Sequence, residues 1–225
     1  MEIAGKDVRI FPSAAPGVPL VVLNTFEGEG KQVLDEARAL DLPDFAMAEI
    51  SGVNWDDDLT PWPCPPLRKG SAPCAGKADA YLTELVGTIL PRVREALPAE
   101  PAYTVIAGYS LGGLFAVYAA LRGGFDAAVS SSGSLWYPDF ADFAGKTPLP
   151  PELKAVYLSL GDAEPKTRHP LMKTVGESTE KVYKSLQDRG LPVIFEWNPG
   201  NHFRDPELRT AKGIRWVLEK LGERR

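Results

Sequence analysis

Ser110 stands between Gly108 and Gly112 in "TVIAGYSLGGLFAVYAAL", where a β-branched apolar run gives way to a helical pattern. A serine hydroxyl is a weak nucleophile until a neighbouring base takes its proton. The sequence holds two histidines, His169 and His202, so candidates for that base are few. His202 lies in "NPGNHFRDP", after the last apolar run and before the last helical pattern. His169, in "KTRHPLM", precedes a proline at a helix entrance and reads as a solvated surface residue. A histidine base needs a carboxylate to orient it, and the order serine, acid, histidine places that acid in "LGDAEPKT". Glu164 follows the loop glycine Gly161 by three residues, a frequent spacing, and Asp162 stands closer to the end of the run. Both remain candidates. The oxyanion of an acyl-transfer intermediate wants two N–H donors. One is the backbone of Leu111, directly after the serine. The other belongs to the turn "NTFEGEG", near Phe26 or Glu27.

These residues must be positioned by the elements around them. Apolar runs at 18–24, 45–51, 103–108, 127–133, 153–161 and 192–198 read as strands. Most are continuous rather than alternating, as strands buried on both faces are. The run "KDVRIFP" reads as an added edge strand. Helical spacing appears over "GKQVLDEARAL", "ADAYLTELVGTILPRVREAL", "HPLMKTVGESTEKVYKSLQDRG" and "DPELRTAKGIRWVLEKLGERR", with Pro91 expected to bend the second. The alternation predicts an α/β fold, an open, mostly parallel sheet with helices on both faces, formed by one domain over 1–225. In such a sheet ligands bind at the carboxyl ends of the strands, where Ser110 sits. Glycines on either side permit a sharp strand-to-helix turn, the nucleophile elbow of α/β-hydrolases. A bare G-x-S-x-G is a weak signal; its place between a strand and a helix gives it weight.

Residues 52–77 break the rhythm, being rich in Pro, Gly, Asp and Trp without periodicity. A loop of this length in a compact domain is usually functional or disordered. Trp55 and Trp62 in it, and Trp136 in "SGSLWYPDF", are candidates for a pocket wall, and Tyr109 adjoins the serine itself.

The 225 residues carry a formal net charge of -5, with no basic patch for nucleic acid and no polybasic membrane stretch. No apolar run is long enough to span a bilayer. The start "MEIAGKDVRIFPS" does not read as a signal peptide, so a cytoplasmic enzyme is expected. Cys64 and Cys74 share the 52–77 loop and are expected to be free thiols without a chemical role. Two cysteines do not make a structural zinc site, and neither metal nor organic cofactor is expected. The composition leaves oligomeric state open.

Taken together, "DLTPWP", "GKADAYLTELVGTILPRV", "AGYSLGGLFAVYAAL", "SSGSLWYPDF", "LSLGDAEPKT" and "NPGNHF" resemble an esterase family of α/β-hydrolases. That family includes the siderophore-cleaving enterochelin esterases, esterase D and the mycobacterial mycolyltransferases. The resemblance runs from "VVLNTFEGEG" to "GIRWVLEKL". It implies Ser110 as nucleophile and His202 as base, with "SGSLW" and the 52–77 loop flanking the substrate. It also implies a small-molecule ester, a triscatecholate siderophore lactone among the options. Basic residues to meet an anionic siderophore are few; Arg68, Lys69 and Lys77 are the nearest in the loop. The expected activity is hydrolysis of a carboxylic ester through an acyl-enzyme, with acyl transfer or thioester cleavage as alternatives on the same scaffold. A non-catalytic binding protein is disfavoured, because serine, histidine and a correctly ordered acid are all present.

Overall fold

Five- to seven-residue runs of Val, Leu, Ile and Ala with no polar alternation can be satisfied only between two layers of helices. In the computed structural model, which describes residues 1–67 and 70–223, they are. The order is β1 (Glu2–Ile3), β2 (Lys6–Phe11), β3 (Leu20–Asn24), α1 (Gly30–Ala39), β4 (Ala46–Ser51) and α2 (Trp55–Asp58). Then come α3 (Ala78–Glu84), a π-helical segment (Leu85–Ile89), α4 (Leu90–Glu95), β5 (Thr104–Tyr109), α5 (Leu111–Arg122) and β6 (Ala127–Ser131). The chain closes with α6 (Phe140–Lys146), β7 (Ala155–Gly161), a 3₁₀ turn (Met172–Thr174), α7 (Val175–Asp188), β8 (Val193–Asn198) and α8 (Pro206–Gly222).

The strands form one sheet in the order β1-β2-β4-β3-β5-β6-β7-β8. β1 and β2 are antiparallel additions at one edge, and β3 to β8 run parallel. Strands β3, β5, β6 and β7 lie between neighbours, and β3, β6 and β7 are buried at every position. One face is covered by α1 and α8, through Val33, Ile214, Val217 and Leu218. The other is covered by α3 to α7, with Leu114, Phe115, Phe140 and Val182 in its core. The expected α/β-hydrolase architecture is the one observed.

Two local features follow from single residues. Pro91 has no N–H to give, and just before it the Leu90 N–H reaches back to the Leu85 carbonyl, so the expected bend is a π turn. The 52–77 segment, though aperiodic, is built around Asp57. Its carboxylate accepts the Ala75 N–H at 2.8 Å and meets Lys77 at 3.1 Å. The Ala75 N–H, then Lys77, hold that carboxyl below its ordinary value despite partial burial. Cys64 and Cys74 face each other across a two-residue bridge as buried free thiols. Burial pushes both thiols up, Cys74 to about 11. Arg68 and Lys69 lie outside the described residues, and Lys77 is taken up by Asp57. Among the described residues no helix is long and apolar enough to cross a membrane.

Candidate active site

β5 ends at Tyr109 and α5 begins at Leu111, leaving Ser110 alone to make the turn. Its backbone is at φ 57°, ψ -120°, a conformation that costs on the order of 1–3 kcal/mol for a residue with a Cβ. The turn is held by Ser110 N–H to Ser131 O at 3.2 Å and by Ser134 N–H to Ser110 O at 2.9 Å. A Cβ on Gly108 would overlap the Gly112 carbonyl, so this glycine is obligatory. At Gly112 a Cβ would meet Asn24 O at 3.3 Å and Trp55 at 3.4 Å, a tight fit rather than a collision. Gly113 is the stricter second position, since its Cβ would lie 2.9 Å from both Gly133 Cα and Ser130 Oγ. Of the two glycines flanking Ser110, only Gly108 is demanded by a collision with backbone.

The three chain segments that the sequence order proposed come together at the carboxyl ends of β5, β7 and β8. Ser110 Oγ lies 3.0 Å from His202 Nε2 and donates to it when the ring proton is on Nδ1. His202 Nδ1 in turn donates to Glu164 Oε2 at 2.8 Å. The other carboxylate oxygen of Glu164 accepts the Gly161 N–H at 2.6 Å and Arg209 Nη1 at 3.3 Å. Burial acts to raise the Glu164 carboxyl. The bonds from His202 and the Gly161 N–H outweigh it and leave the group below its ordinary 4.5.

Asp162 does not reach the imidazole. Its carboxylate accepts the Gly200 N–H at 2.8 Å, and its own N–H donates to Asn198 O at 2.8 Å. It therefore shapes the loop that carries His202, while the longer side chain of Glu164 spans the gap to the ring. Tyr109 also acts on that loop, its hydroxyl donating to His202 O at 2.7 Å. Burial is the main cause that raises the Tyr109 hydroxyl to about 12, so it stays a donor at neutral pH.

Leu111 is buried, and its N–H opens α5 beside the serine. The opposite donors are engaged: Phe26 N–H and Glu27 N–H donate to the two oxygens of Glu29, at 3.1 and 3.0 Å. An oxyanion reaching the Phe26 N–H has to displace that carboxylate.

A cavity of about 920 Å³ opens over Ser110. Phe26, Trp55, Trp136 and Phe203 give it aromatic walls, and Tyr109 and Ser134 line its floor. Phe26 and Phe203 are 59% and 84% exposed, far more than phenylalanines usually are, and both border the cavity. Two expectations fail here. Trp62 turns away from the cavity: its indole N–H donates to Pro138 O at 3.0 Å and its ring packs on Tyr137, Phe140 and Phe143. A tryptophan in a proline-rich loop gives no direction of its own, and here the aromatic core beneath the loop claims it. Glu27 contributes its N–H only to Glu29 and is not among the residues lining the cavity.

His169 is no solvated surface residue. It is half-buried, lines the cavity beside Trp136, and accepts the Leu171 and Met172 N–H groups on Nδ1, both at 3.3 Å. It caps the 3₁₀ turn and stands apart from the Ser110–His202 pair. Arg209, 2% exposed, was hidden in an otherwise ordinary helical pattern. Among the described residues no group of three or more His, Cys, Asp or Glu side chains could hold a metal ion.

Comparison with known proteins fits this geometry. Residues 31–194 match the model of the family described as "Putative esterase". Protein YbbA of Bacillus subtilis (strain 168) is 29% identical over 188 residues, covering 80% of this chain and 75% of that one. An IroE-like serine hydrolase from Shewanella oneidensis superposes with a TM-score of 0.76 at 18% identity, over 95% of this chain and 76% of that one. The siderophore hydrolase EstA from Aspergillus nidulans gives 0.71 at 16% identity, over 96% and 94%. At such identities the two structures speak for the fold.

Proposed function

The chain belongs to the Putative esterase family, and on that premise we propose that it is a serine carboxylic-ester hydrolase working through an acyl-enzyme. One observation carries the reading: Ser110 Oγ, His202 and Glu164 stand in line at 3.0 and 2.8 Å beneath an aromatic cavity. Ser110 Oγ attacks the acyl carbon as His202 Nε2 takes its proton. The imidazolium is stabilised by the ionised Glu164, whose depressed carboxyl suits that task. The Leu111 N–H, joined by the Phe26 N–H once Glu29 has moved aside, holds the oxyanion. Collapse breaks the bond to the alkoxy group, which leaves as the alcohol with the proton from His202. Water then attacks the acyl-enzyme, giving its proton to His202, and the carboxylic acid departs with Ser110 reprotonated.

The cavity is larger than a minimal acetate ester needs and has the aromatic walls of a site for a bulky, flat or extended ester. An ester siderophore fits that description, and the shared fold of the siderophore hydrolase EstA supports testing it first. Ser110→Ala and His202→Ala are each expected to lower ester turnover by about 10⁴ or more. His169→Ala is expected to retain turnover of 4-nitrophenyl acetate. Near wild-type turnover by Ser110→Ala overturns the reading. A panel of 4-nitrophenyl esters, acyl-thioesters and a triscatecholate trilactone assigns the substrate class.

A further inference from the structure

We infer that Arg209 is a positioning residue for the proposed machinery, holding His202 and Glu164 in register with Ser110. The inference rests on the roles proposed above for those three residues. Arg209 sits in the first turn of α8 with its side chain 2% exposed. A guanidinium out of water is tolerated only where its N–H groups are met. Here Nη1 donates to Ser132 Oγ at 2.9 Å, Tyr109 Oη at 3.2 Å and Glu164 Oε1 at 3.3 Å. Nη2 donates to Pro199 O at 3.1 Å and Asn201 O at 3.0 Å. These five partners lie on four segments: the strand that feeds the elbow, the end of β6, the loop of the acid and the loop of the base.

Two routes therefore lead from Arg209 to His202. One runs through Glu164 to the ring. The other runs through Tyr109, which accepts from Nη1 and donates to His202 O at 2.7 Å. The carbonyls of Pro199 and Asn201 fix the three residues that enter His202. Room for the fork is kept by Gly161, where a Cβ would lie 3.0 Å from both Nη1 and Nη2. Only a planar group with donors on two nitrogens can reach a carboxylate on one side and two carbonyls on the other. A lysine supplies the charge from a single nitrogen and loses one set.

A buried arginine could also serve the fold alone, so the test must read the machinery separately. Arg209→Lys and Arg209→Met are made in wild type and in His202→Ala. Each is assayed for kcat and KM on 4-nitrophenyl acetate and for the rate at which a fluorophosphonate labels Ser110. A displacement near 1 Å costs on the order of 10²-fold, so kcat and labelling are expected to fall about 100-fold in Arg209→Met and about 10-fold in Arg209→Lys. KM should stay within about twofold, the pattern of an interaction that matters to the reacting state. In the His202→Ala background the same changes should shift the residual rates less than about twofold, because there is no base left to position. Rates within twofold of wild type for both substitutions overturn the inference. So does an equal fold-loss in the His202→Ala background, which would assign Arg209 to the fold. If Arg209→Met does not fold, Arg209→Lys decides by the same criteria. Wild-type protein that is not labelled at Ser110 at all refutes the underlying catalytic reading instead.

Discussion

Glu164→Gln changes one atom at the proposed acid, and the structure dictates which atom. Glu164 Oε1 accepts both the Gly161 N–H and Arg209 Nη1, so that position must remain an oxygen. The new amide nitrogen is thereby forced into the place of Oε2, 2.8 Å from His202 Nδ1. An amide there donates, so Nδ1 must accept and the ring proton must move to Nε2. Nε2 then faces Ser110 Oγ as a donor and cannot take the serine proton. The wrong tautomer in an intact triad costs about 10⁴ in turnover, or about 5.4 kcal/mol at about 1.36 kcal/mol per factor of ten. Asp162→Asn leaves the imidazole untouched and weakens only an acceptor for Gly200 N–H, so its loss should stay near tenfold or less. Steady-state kcat on 4-nitrophenyl acetate, with circular dichroism to confirm folding, reads both. A folded Glu164→Gln enzyme within tenfold of wild type refutes the tautomer reasoning, and a large loss for Asp162→Asn alone moves the acid to Asp162.

Gly108→Ala should cost about 1–3 kcal/mol in urea unfolding by overpacking the elbow, and more than Gly112→Ala, whose Cβ would find 3.3 Å of room. The Glu164 carboxyl lies below its ordinary 4.5 when folded and returns near it when unfolded, so the folded chain binds fewer protons there. That stability is present above the unfolded value and lost as pH falls through the folded one; the stability advantage of wild type over Glu164→Gln should shrink as pH falls below 4.5 in urea titrations. Trp62→Ala should cost about 3–5 kcal/mol of stability without altering KM, whereas Trp136→Ala should raise KM for bulky esters; a KM effect at Trp62 would put it back in the site.

Strands β3 to β7 were legible because burial on both faces leaves continuous apolar runs, and the ends of β3 to β8 differ from the expected ones by at most two residues. The short elements β1, α2 and α6 carry too few residues to show a period; they form because the long elements hold their ends. That Ser110 and His202 would meet was legible, because the expected chemistry needs rare types in a fixed order. The choice between Glu164 and Asp162 was not, since both lie in one loop and only side-chain reach separates them. Trp62 and His169 misled for a related reason: residue type states what a group can do, while the packing around it decides where it points. Arg209 was invisible because a lone arginine in a helical pattern ordinarily faces water, and its partners come from four distant segments. Glu29 likewise gave no sign that its carboxylate would close on the Phe26 and Glu27 N–H groups, a contact set by the turn alone.

The most direct test is to trap the covalent intermediate. The enzyme is mixed with a slowly deacylating 4-nitrophenyl ester, quenched in acid within the burst, and measured by intact mass and peptide mapping. One acyl group per chain is expected, on Ser110 in the peptide containing "GYSLGG", absent from Ser110→Ala and strongly slowed in His202→Ala. An acyl group on another residue, or rapid turnover with no covalent adduct under the same quench, contradicts the proposed acyl-enzyme.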